Sequence, residues 1–395
     1  MTLPLYNAAI TGVGMSKIGR DVNLPAINMT VDAIMSAIDH AGLSIEEIDG
    51  LSTQPGFSET PGMAPVPLSD LKNTLGLKLN WFTSVQEGAS TMSAIMNPVM
   101  AVTTGQASHV LCFRTAIQYS ESQKQKSLSP IAGNVPAKRW NRWQSWAYPF
   151  NAVSPIHYFS MHAMLRMQRF GLTREQLGHW ALNCRRNAVL NPTAIFREPM
   201  NMSDYLSSRM ISDPLCLLDC DAPIDSSVAF VVSRLDAARE LKNPPLAIAG
   251  MSGALHGKDS WDQFEDLSSM AAKDAGAQLW RNTSLKHSDI DVANIYDGFS
   301  IQPLIWLEAL GFCGAGEGGE FLQEGERICL EGKLPMNTGG GQLSGGRMHG
   351  FGLLRESCLQ LWGLGEERQV SGDPEVALTT VGAGSLAGCL ILTRD

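Results

Sequence analysis

The sequence predicts an α/β protein made of two similar halves with a segment inserted between them. One order of elements occurs twice along the 395 residues: a buried strand, an amphipathic helix, an acidic–Ile–Asp triplet and a second strand. The triplets are Glu47-Ile48-Asp49 and Asp289-Ile290-Asp291. Chance similarity is the alternative, but the paired order of four elements favours an internal duplication.

The first copy begins with the apolar run 8–14, which predicts a buried strand. The next element is a helix with four apolar residues at helical spacing: Val31, Ile34, Met35 and Ile38. Gly42 is its expected end, because glycine readily takes the left-handed conformation that stops a helix. The segment 43–51 then leads into a second strand.

The second copy repeats this order in the C-terminal part of the chain. Residues 246–252 predict a strand, and residues 268–281 suit a helix. Residues 285–292 lead into a further strand at 293–296. Two such copies imply two α/β halves packed face to face.

The predicted domain boundaries follow from these copies. Residues 1–117 and 216–245 form the N-terminal half, and residues 246–395 form the C-terminal half. Residues 118–215 differ in composition from both and are predicted to be an inserted loop domain.

Composition and charge exclude several classes of protein. A net charge of -9 and a pI near 5.4 give no attraction to nucleic acid or to an anionic membrane. We expect neither a secretory signal nor a membrane span, because the chain has no basic stretch followed by an apolar run and no uncharged apolar run of spanning length.

The eight cysteines are scattered and form no CxxC pair. We therefore expect reduced, mostly buried thiols in a cytoplasmic protein rather than disulfides or a zinc site. His157, His162, Cys216 and Cys220 have no coherent ligand spacing, so the sequence predicts no metal centre.

Four segments carry the motif information. Residues 87–94, Glu-Gly-Ala-Ser-Thr-Met-Ser-Ala, predict a tight turn of small residues that opens an apolar helix. Residues 296–300 read Tyr-Asp-Gly-Phe-Ser, and residues 334–350 form a glycine-rich stretch ending in Arg-Met-His-Gly. Residues 379–385 form a final glycine loop.

These segments resemble the thiolase superfamily, particularly the branch of the sterol-carrier-protein-x thiolases. The resemblance covers nearly the whole chain. It implies the thiolase fold, in which two duplicated halves form five layers (α-β-α-β-α) with a loop-domain insertion. It also implies a CoA ester as the substrate.

The residues that the family uses for catalysis are replaced in this chain. Gly88 stands where the nucleophilic cysteine is expected, and Gly298 stands at a second cysteine position. Tyr296 and Arg347 stand at two histidine positions, and the loop Val381–Gly384 has no cysteine. Because thiolases need a thiolate to take up an acyl group, we expect neither ordinary thiolysis nor Claisen condensation.

One offshoot of the family has similar replacements, namely the thiolase-like aldolases that cleave steroid side chains as CoA esters. Those aldolases also have glycine at the nucleophile position, a Tyr-Asp-x-Phe segment like 296–299 and a His-Gly pair like His349-Gly350. Their second catalytic tyrosine falls at Arg347, so this chain keeps one of the two. The resemblance further implies a small partner protein that combines a zinc ribbon with an OB-fold.

The leading hypothesis is retro-aldol cleavage of a β-hydroxyacyl-CoA, which requires no acyl-enzyme. Tyr296 would relay the hydroxyl proton, while His349 or Arg347 would assist it or lower its pKa. Asp297 either orients the site or is structural. The predicted substrate-binding residues are Gly88, Gly298, Asn337, Gly340 and Gly384. No cofactor is expected beyond the CoA of the substrate.

Each catalytic candidate has a plainer interpretation. Tyr296 is alternatively a strand-end tyrosine, and His349 alternatively closes a helix N-terminus. Arg347 alternatively forms a salt bridge with an acidic neighbour. Asn337 in a glycine loop more often shapes the backbone than binds an oxyanion.

The inserted region holds a mixture of basic and aromatic residues: Lys124, Lys126, Lys138, Arg139, Trp140, Arg142, Trp143, Trp146, Tyr148 and Phe150. Such a mixture is typical of single-stranded nucleic acid binding, which the acidic chain disfavours. It fits either a cover of the active site with cations for the CoA phosphates, or an aromatic cluster that packs the insertion or a subunit interface.

Two other functions remain open at this stage. One is an acyltransferase with an unidentified nucleophile, and the other is a non-catalytic acyl-CoA-binding subunit of a heteromeric complex. A homodimer, alone or within a larger complex, is the expected assembly.

Overall fold

The computed structural model describes residues 6–54, 62, 65–84, 90–128, 148–150, 152, 154–256, 266 and 269–394. The strands in these ranges are β1 Ala8–Met15, β2 Gly50–Thr53, β3 Trp81–Ser84, β4 His109–Ile117, β5 Met210–Ser212, β6 Leu215–Cys216, β7 Asp225–Arg234, β8 Leu246–Leu255, β9 Val292–Asn294, β10 Val376–Gly382 and β11 Leu386–Arg394. The helices there are α1 Ala26–Ala41, α2 Leu68–Leu75, α3 Ser93–Thr103, α4 Gln118–Leu128, α5 Pro155–Phe170, α6 Arg174–Val189, α7 Met202–Leu206, α8 Leu235–Ala238, α9 Met270–Arg281, α10 Ile301–Ala309, α11 Gly318–Phe321, α12 Gly341–Ser344 and α13 Phe351–Leu361.

The strand order confirms the predicted duplication. Nine strands follow one another as β3-β2-β4-β7-β1-β8-β11-β10-β9. In the N-terminal half, β2 and β4 are parallel, β4 and β7 are antiparallel, and β7 and β1 are antiparallel. In the C-terminal half β9, β10, β11 and β8 repeat these orientations in the same sequence. Strand pairing between the two halves involves two residue pairs of β1 and β8, Ala9 with Ala247 and Ile10 with Leu246.

Alternating side chains divide the protein into the five predicted layers. On β4, Val110 and Cys112 belong to the central core with α3 and α13, whereas Leu111 and Phe113 pack in the outer core with α1. The strands of the C-terminal half join the same central core on one face and pack against α9 and α10 on the other. Successive residues of a strand point to opposite faces, so each half can bury both sides of its strands. The order of layers is α1, N-terminal strands, α3 with α13, C-terminal strands, α9 with α10.

The outer helix α1 lies directly on β1 because two glycines leave room for it. A Cβ atom on Gly14 would lie 2.1 Å from the carbonyl oxygen of Ala33, and one on Gly12 would lie 2.3 Å from that of Ala37. Any side chain there would push the helix away. As expected, α1 ends at Gly42, which has φ 75°.

Between β4 and β7 the chain forms α4 to α7 and the short β5–β6 pair. Most of the basic and aromatic residues of the insertion lie outside the described residues, as does Gly88. The domain boundaries stay a prediction. None of the helices in the described ranges is both long and apolar enough to cross a membrane.

Candidate active site

The candidate site lies where the loop after β9 meets β4 and the glycine-rich loop before α13. The first loop carries Tyr296, and β4 contributes Arg114. The glycine-rich loop contributes Arg347 and His349. Asp221, from the segment that precedes β7, completes the group of polar side chains.

Hydrogen bonds to the backbone of Tyr296 and of the preceding residue, Ile295, fix the position of the tyrosine. Its N–H donates to the Thr380 hydroxyl of β10 at 2.9 Å. The amide of Asn337 clamps Ile295 from both sides, because its Oδ1 accepts from the Ile295 N–H at 2.7 Å and its Nδ2 donates to the Ile295 carbonyl at 2.9 Å. Asn337 is fully buried, so it acts on the site by holding the backbone next to Tyr296 in place.

The surroundings of Tyr296 keep its hydroxyl protonated. Burial and then the Asp221 carboxylate raise the pKa of Tyr296 to about 12. Three neighbours act in the opposite direction: Gln342, Arg347 and Arg114. Arg347 lowers this pKa, as expected from the sequence, but burial raises it by more. At neutral pH the side chain therefore keeps its proton and can donate a hydrogen bond.

Gln342 lies beside the Tyr296 hydroxyl and has hydrogen-bonding capacity left. Both polar atoms of its amide are buried and form no hydrogen bond of ordinary geometry among the described residues, although the amide lies close enough to Tyr296 to lower its pKa. A buried amide without partners is costly unless a ligand or water satisfies it. Gln342 is part of the glycine-rich motif but was not among the predicted site residues.

Asp297 points into the protein. Its Oδ1 accepts from the Gln342 N–H at 2.8 Å, and its Oδ2 accepts from Trp180 Nε1 and Cys184 Sγ, each at 3.4 Å. Burial raises the pKa of this carboxyl to about 7. These contacts tie the tyrosine loop to α6 and α12, which favours the structural alternative for Asp297.

Arg114 and His349 form a fixed pair. Arg114 is buried and donates from Nη1 to the Gln54 carbonyl at 3.0 Å and from Nη2 to His349 Nδ1 at 3.2 Å. Burial, followed by the charges of Arg114 and Arg347, holds the pKa of His349 well below its usual value. His349 is therefore neutral at physiological pH. Its backbone has φ 52°, and its carbonyl accepts a hydrogen bond from the Thr91 hydroxyl.

Arg347 forms an ion pair with Asp221, as its plainer interpretation expected. Its Nη1 donates to Asp221 Oδ1 at 2.9 Å, and its Nε donates to Gln118 Oε1 at 2.7 Å. Burial raises the pKa of Asp221 to about 6, although Arg347 opposes the rise. Arg347 also acts electrostatically on Tyr296 and His349, so this ion pair belongs to the site.

Two glycines, Gly298 and Gly88, stand at the family's cysteine positions. A Cβ atom on Gly298 would lie 2.8 Å from Gln302 Oε1 and 3.2 Å from Tyr296 Cε1, so a cysteine there would require the Gln302 side chain to shift. Gly88 lies outside the described residues. The segment that follows it reaches the site, because Thr91 contacts His349.

Gly340 and Gly384 make internal contacts. Gly340 has φ 97°, and a Cβ atom on it would lie 2.7 Å from the Cβ of Ala188 in α6. Gly384 accepts a hydrogen bond from the Ala271 N–H at 3.1 Å and donates to the Leu386 carbonyl at 3.4 Å. These contacts account for packing and turn formation. Substrate binding by Gly88, Gly298, Asn337, Gly340 and Gly384 stays a prediction.

The cysteines are free, as predicted, and most are buried. Burial is the main cause that raises the pKa of seven thiols: Cys112, Cys184, Cys216, Cys220, Cys313, Cys358 and Cys389. Raised pKa values keep these groups as thiols, which are poor nucleophiles. Within the described ranges no three His, Cys, Asp or Glu side chains are grouped to hold a metal ion.

Sequence reasoning missed two charged residues of the site. Arg114 is a charge within the apolar run of β4, which was the available signal, since an arginine is rarely buried without a specific partner. Asp221 lies in a connecting segment far from any motif, and nothing in the sequence relates it to Arg347. The assembled group offers a neutral hydroxyl, two guanidinium groups, a carboxylate and a neutral imidazole, which suits proton transfer near a developing negative charge.

Comparisons with known proteins identify relatives of this chain. A family model described as thiolase C-terminal domain-like matches residues 253–394. The steroid side-chain-cleaving aldolase of Thermomonospora curvata is 30% identical over 98% of each chain. The 17-hydroxy-3-oxo-4-pregnene-20-carboxyl-CoA lyase of Mycobacterium tuberculosis is 31% identical over 98% of each chain.

A solved structure of similar shape extends the comparison. The Ltp2-ChsH2(DUF35) aldolase matches with a TM-score of 0.86 and 30% identity, over 100% of this chain and 99% of that one. Because relatives at this identity align over nearly their whole length, the chain belongs to the thiolase superfamily, in the branch of the thiolase-like steroid side-chain-cleaving aldolases.

Proposed function

We propose that the protein is a carbon–carbon lyase that cleaves a β-hydroxyacyl-CoA by a retro-aldol reaction. The observation that carries this proposal is the Tyr296 hydroxyl, kept protonated beside two arginines in a site where Gly298 stands at one of the family's cysteine positions. Two relatives named as an aldolase and a CoA lyase support the same reaction class. A steroid or other bulky lipid acyl group is the proposed substrate class, by analogy with the substrate named for the second relative.

The proposed chemistry uses the site as follows. A base takes the proton of the β-hydroxyl group, the carbon–carbon bond breaks, and the thioester becomes an enolate. The enolate oxygen needs donors that are already in place. Arg114 and the amide of Gln342 supply a charge and a donor beside Tyr296. Tyr296 then protonates the α-carbon.

Two arginines support binding of the phosphate groups of CoA. The Cζ of Arg20 lies 4.5 Å from the centre of the Phe196 ring, and that of Arg185 lies 5.4 Å from it. Neither has an ion-pair partner among the described residues. Arg20 also lies over Tyr119, which adjoins the Gln118 that binds Arg347. We therefore assign the anionic end of CoA to this arginine pair.

The proposed assembly is a homodimer that binds a small DUF35-type partner. The similar Ltp2-ChsH2(DUF35) aldolase supports a heteromeric complex, and the family resemblance gives the partner a zinc ribbon and an OB-fold. The edge strand β3 supports the homodimer, because it ends the row of strands and its Phe82 is 67% exposed. Solubility and activity with and without a co-produced partner test the complex. A cytoplasmic location and the lack of a cofactor stay predictions.

Product analysis tests the function. A retro-aldolase releases a ketone or aldehyde and a shortened CoA ester, and it consumes no free CoA. Products that form only when free CoA is added would instead indicate a thiolase or acyltransferase. Binding of the ester without any product, in the presence of the partner, would indicate a non-catalytic subunit.

A further inference from the structure

Asp221 is fixed between the tyrosine loop and the glycine-rich loop. Its N–H donates to the Gly298 carbonyl at 3.1 Å. The next residue, Ala222, donates to the Gln342 carbonyl at 3.0 Å and accepts from the Arg347 N–H at 2.8 Å. Backbone hydrogen bonds of this kind leave the carboxylate little freedom to move relative to Tyr296.

The two carboxylate oxygens of Asp221 have different surroundings. Oδ1 accepts the hydrogen bond from Arg347, whereas Oδ2 has no donor among the described residues. Oδ2 lies 3.7 Å from the position that a Cβ atom on Gly298 would take, and Tyr296 Cε1 lies 3.2 Å from that same point. A carboxylate oxygen without a donor and the tyrosine ring therefore lie close to each other, on either side of the position that a side chain at residue 298 would take.

The charges around Asp221 keep the carboxylate ionised at neutral pH. Arg347 is the cation in contact with it, while Tyr296 and the Cys220 thiol face it in neutral form. Burial raises the pKa of Asp221 to about 6, which is far below the pKa of about 12 of Tyr296. Two titratable groups whose environments separate their pKa values in this way suit the opposite roles of base and acid.

We propose that Asp221 is the base that takes the proton of the substrate's β-hydroxyl group, with Arg347 positioning its carboxylate; this inference rests on the proposed retro-aldol function. As the proton moves to Oδ2, the hydroxyl carbon becomes a carbonyl carbon and the bond between the α- and β-carbons breaks. The electron pair of that bond forms the thioester enolate. Tyr296 gives its proton to the α-carbon, and the carboxylic acid of Asp221 returns a proton to the tyrosine oxygen. Both residues are restored, and neither water nor free CoA is consumed.

Kinetics of an Asp221→Asn variant test this role. We expect kcat to fall by about 10²- to 10⁴-fold with KM changed little, because a general base typically contributes that much. Asp221→Glu should keep part of the activity, and Asp32→Asn, on the exposed face of α1, is the matched control that should keep all of it. An active wild type with an equally active Asp221→Asn variant would overturn this inference alone. A wild type that cleaves no β-hydroxyacyl-CoA would overturn the proposed function as well.

The pH profile separates a base from a residue that merely holds Arg347. For the wild type, kcat/KM should fall below about pH 6 as Asp221 becomes protonated. Arg347 lowers the pKa of Asp221, so Arg347→Met should move this acidic limb to higher pH, by about one unit or more. Arg347→Lys keeps the charge and should leave the limb close to that of the wild type. A limb that stays in place in Arg347→Met would contradict the assignment, whether or not Asp221→Asn folds.

Discussion

The Nη2 atom of Arg114 lies 3.2 Å from Nδ1 of His349. Because a guanidinium group only donates hydrogen bonds, Nδ1 must be the acceptor, and a neutral imidazole then carries its hydrogen on Nε2. His349 thus adds no positive charge to the site. The cations that act on Tyr296 are Arg114 and Arg347.

Tyr296→Phe should leave folding and CoA-ester binding intact but reduce turnover by about 10²- to 10⁴-fold, since the variant lacks the proton donor. Removing one hydroxyl group changes little volume. Steady-state kinetics and thermal unfolding measure the two effects. Tyr158→Phe, which removes a hydroxyl bonded to the Ala152 carbonyl at 2.7 Å, is the matched control and should keep its turnover. Near-normal turnover of Tyr296→Phe would show that the tyrosine is structural, with His349 the next candidate for proton transfer.

No cysteine should form an acyl-enzyme. Gly88, Gly298 and Val381 occupy the motif positions of the family's thiols, and burial keeps most of the cysteines that are present as neutral thiols. Intact-protein mass spectrometry after incubation with acyl-CoA should therefore show the unmodified mass. An acyl group found on any of the eight cysteines would revive the acyltransferase hypothesis.

Asp297→Asn should lower the free energy of unfolding by about 1–3 kcal/mol, the usual effect of disrupting a buried hydrogen-bond network. The reason is that an asparagine NH₂ group would face the donors Trp180 Nε1 and Cys184 Sγ, which now share Oδ2. Urea denaturation measures the loss, with the exposed Asp32→Asn expected to change stability by about 0.5 kcal/mol or less. If Asp297→Asn were as stable as the wild type yet inactive, Asp297 would have a direct role in the reaction.

Arg20→Ala should raise KM for a CoA ester about 1.4- to 5-fold at low salt, because an exposed charge pair contributes about 0.2–1 kcal/mol. The effect should shrink as salt is added. The matching pantetheine thioester lacks the nucleotide and the phosphate groups next to it, so it should show no difference between variant and wild type. Equal KM increases for both esters would mean that Arg20 does not contact the charged end of CoA.

Single helices and strands could be predicted because each follows from the residue pattern of one short segment. The predicted helix 268–281 is observed as Met270–Arg281, and the predicted strand 8–14 is observed as Ala8–Met15. The predicted strand at 293–296 is observed earlier, as Val292–Asn294, since Tyr296 already belongs to the loop that carries the site. The junction of β1 with β8 depends on tertiary packing, and no local pattern marks it.

Only those residues of the candidate site that belong to a continuous motif could be predicted from the sequence. Tyr296, Arg347 and His349 were found because their motifs are continuous in the sequence. The partner of Arg347 is 126 residues away, and the partner of His349 is 235 residues away. Contacts across such distances follow from the strand order. The sequence could supply the candidates, but only the folded chain relates them to Asp221 and Arg114.

The matching order of strands in the two halves also fixes which residues are equivalent. β2 pairs Gly50 with Val110 of β4, and β9 pairs Val292 with Ala377 of β10. Counting from these pairs, Gln54 is the counterpart of Tyr296, and Val381 is the counterpart of Arg114. One of these equivalent positions thus carries a tyrosine only in the C-terminal half, and the other carries a buried arginine only in the N-terminal half. The two halves of the protein thus share one arrangement of strands. Because the polar residues stand at non-equivalent positions of the two halves, the group that they form at the boundary is single and asymmetric.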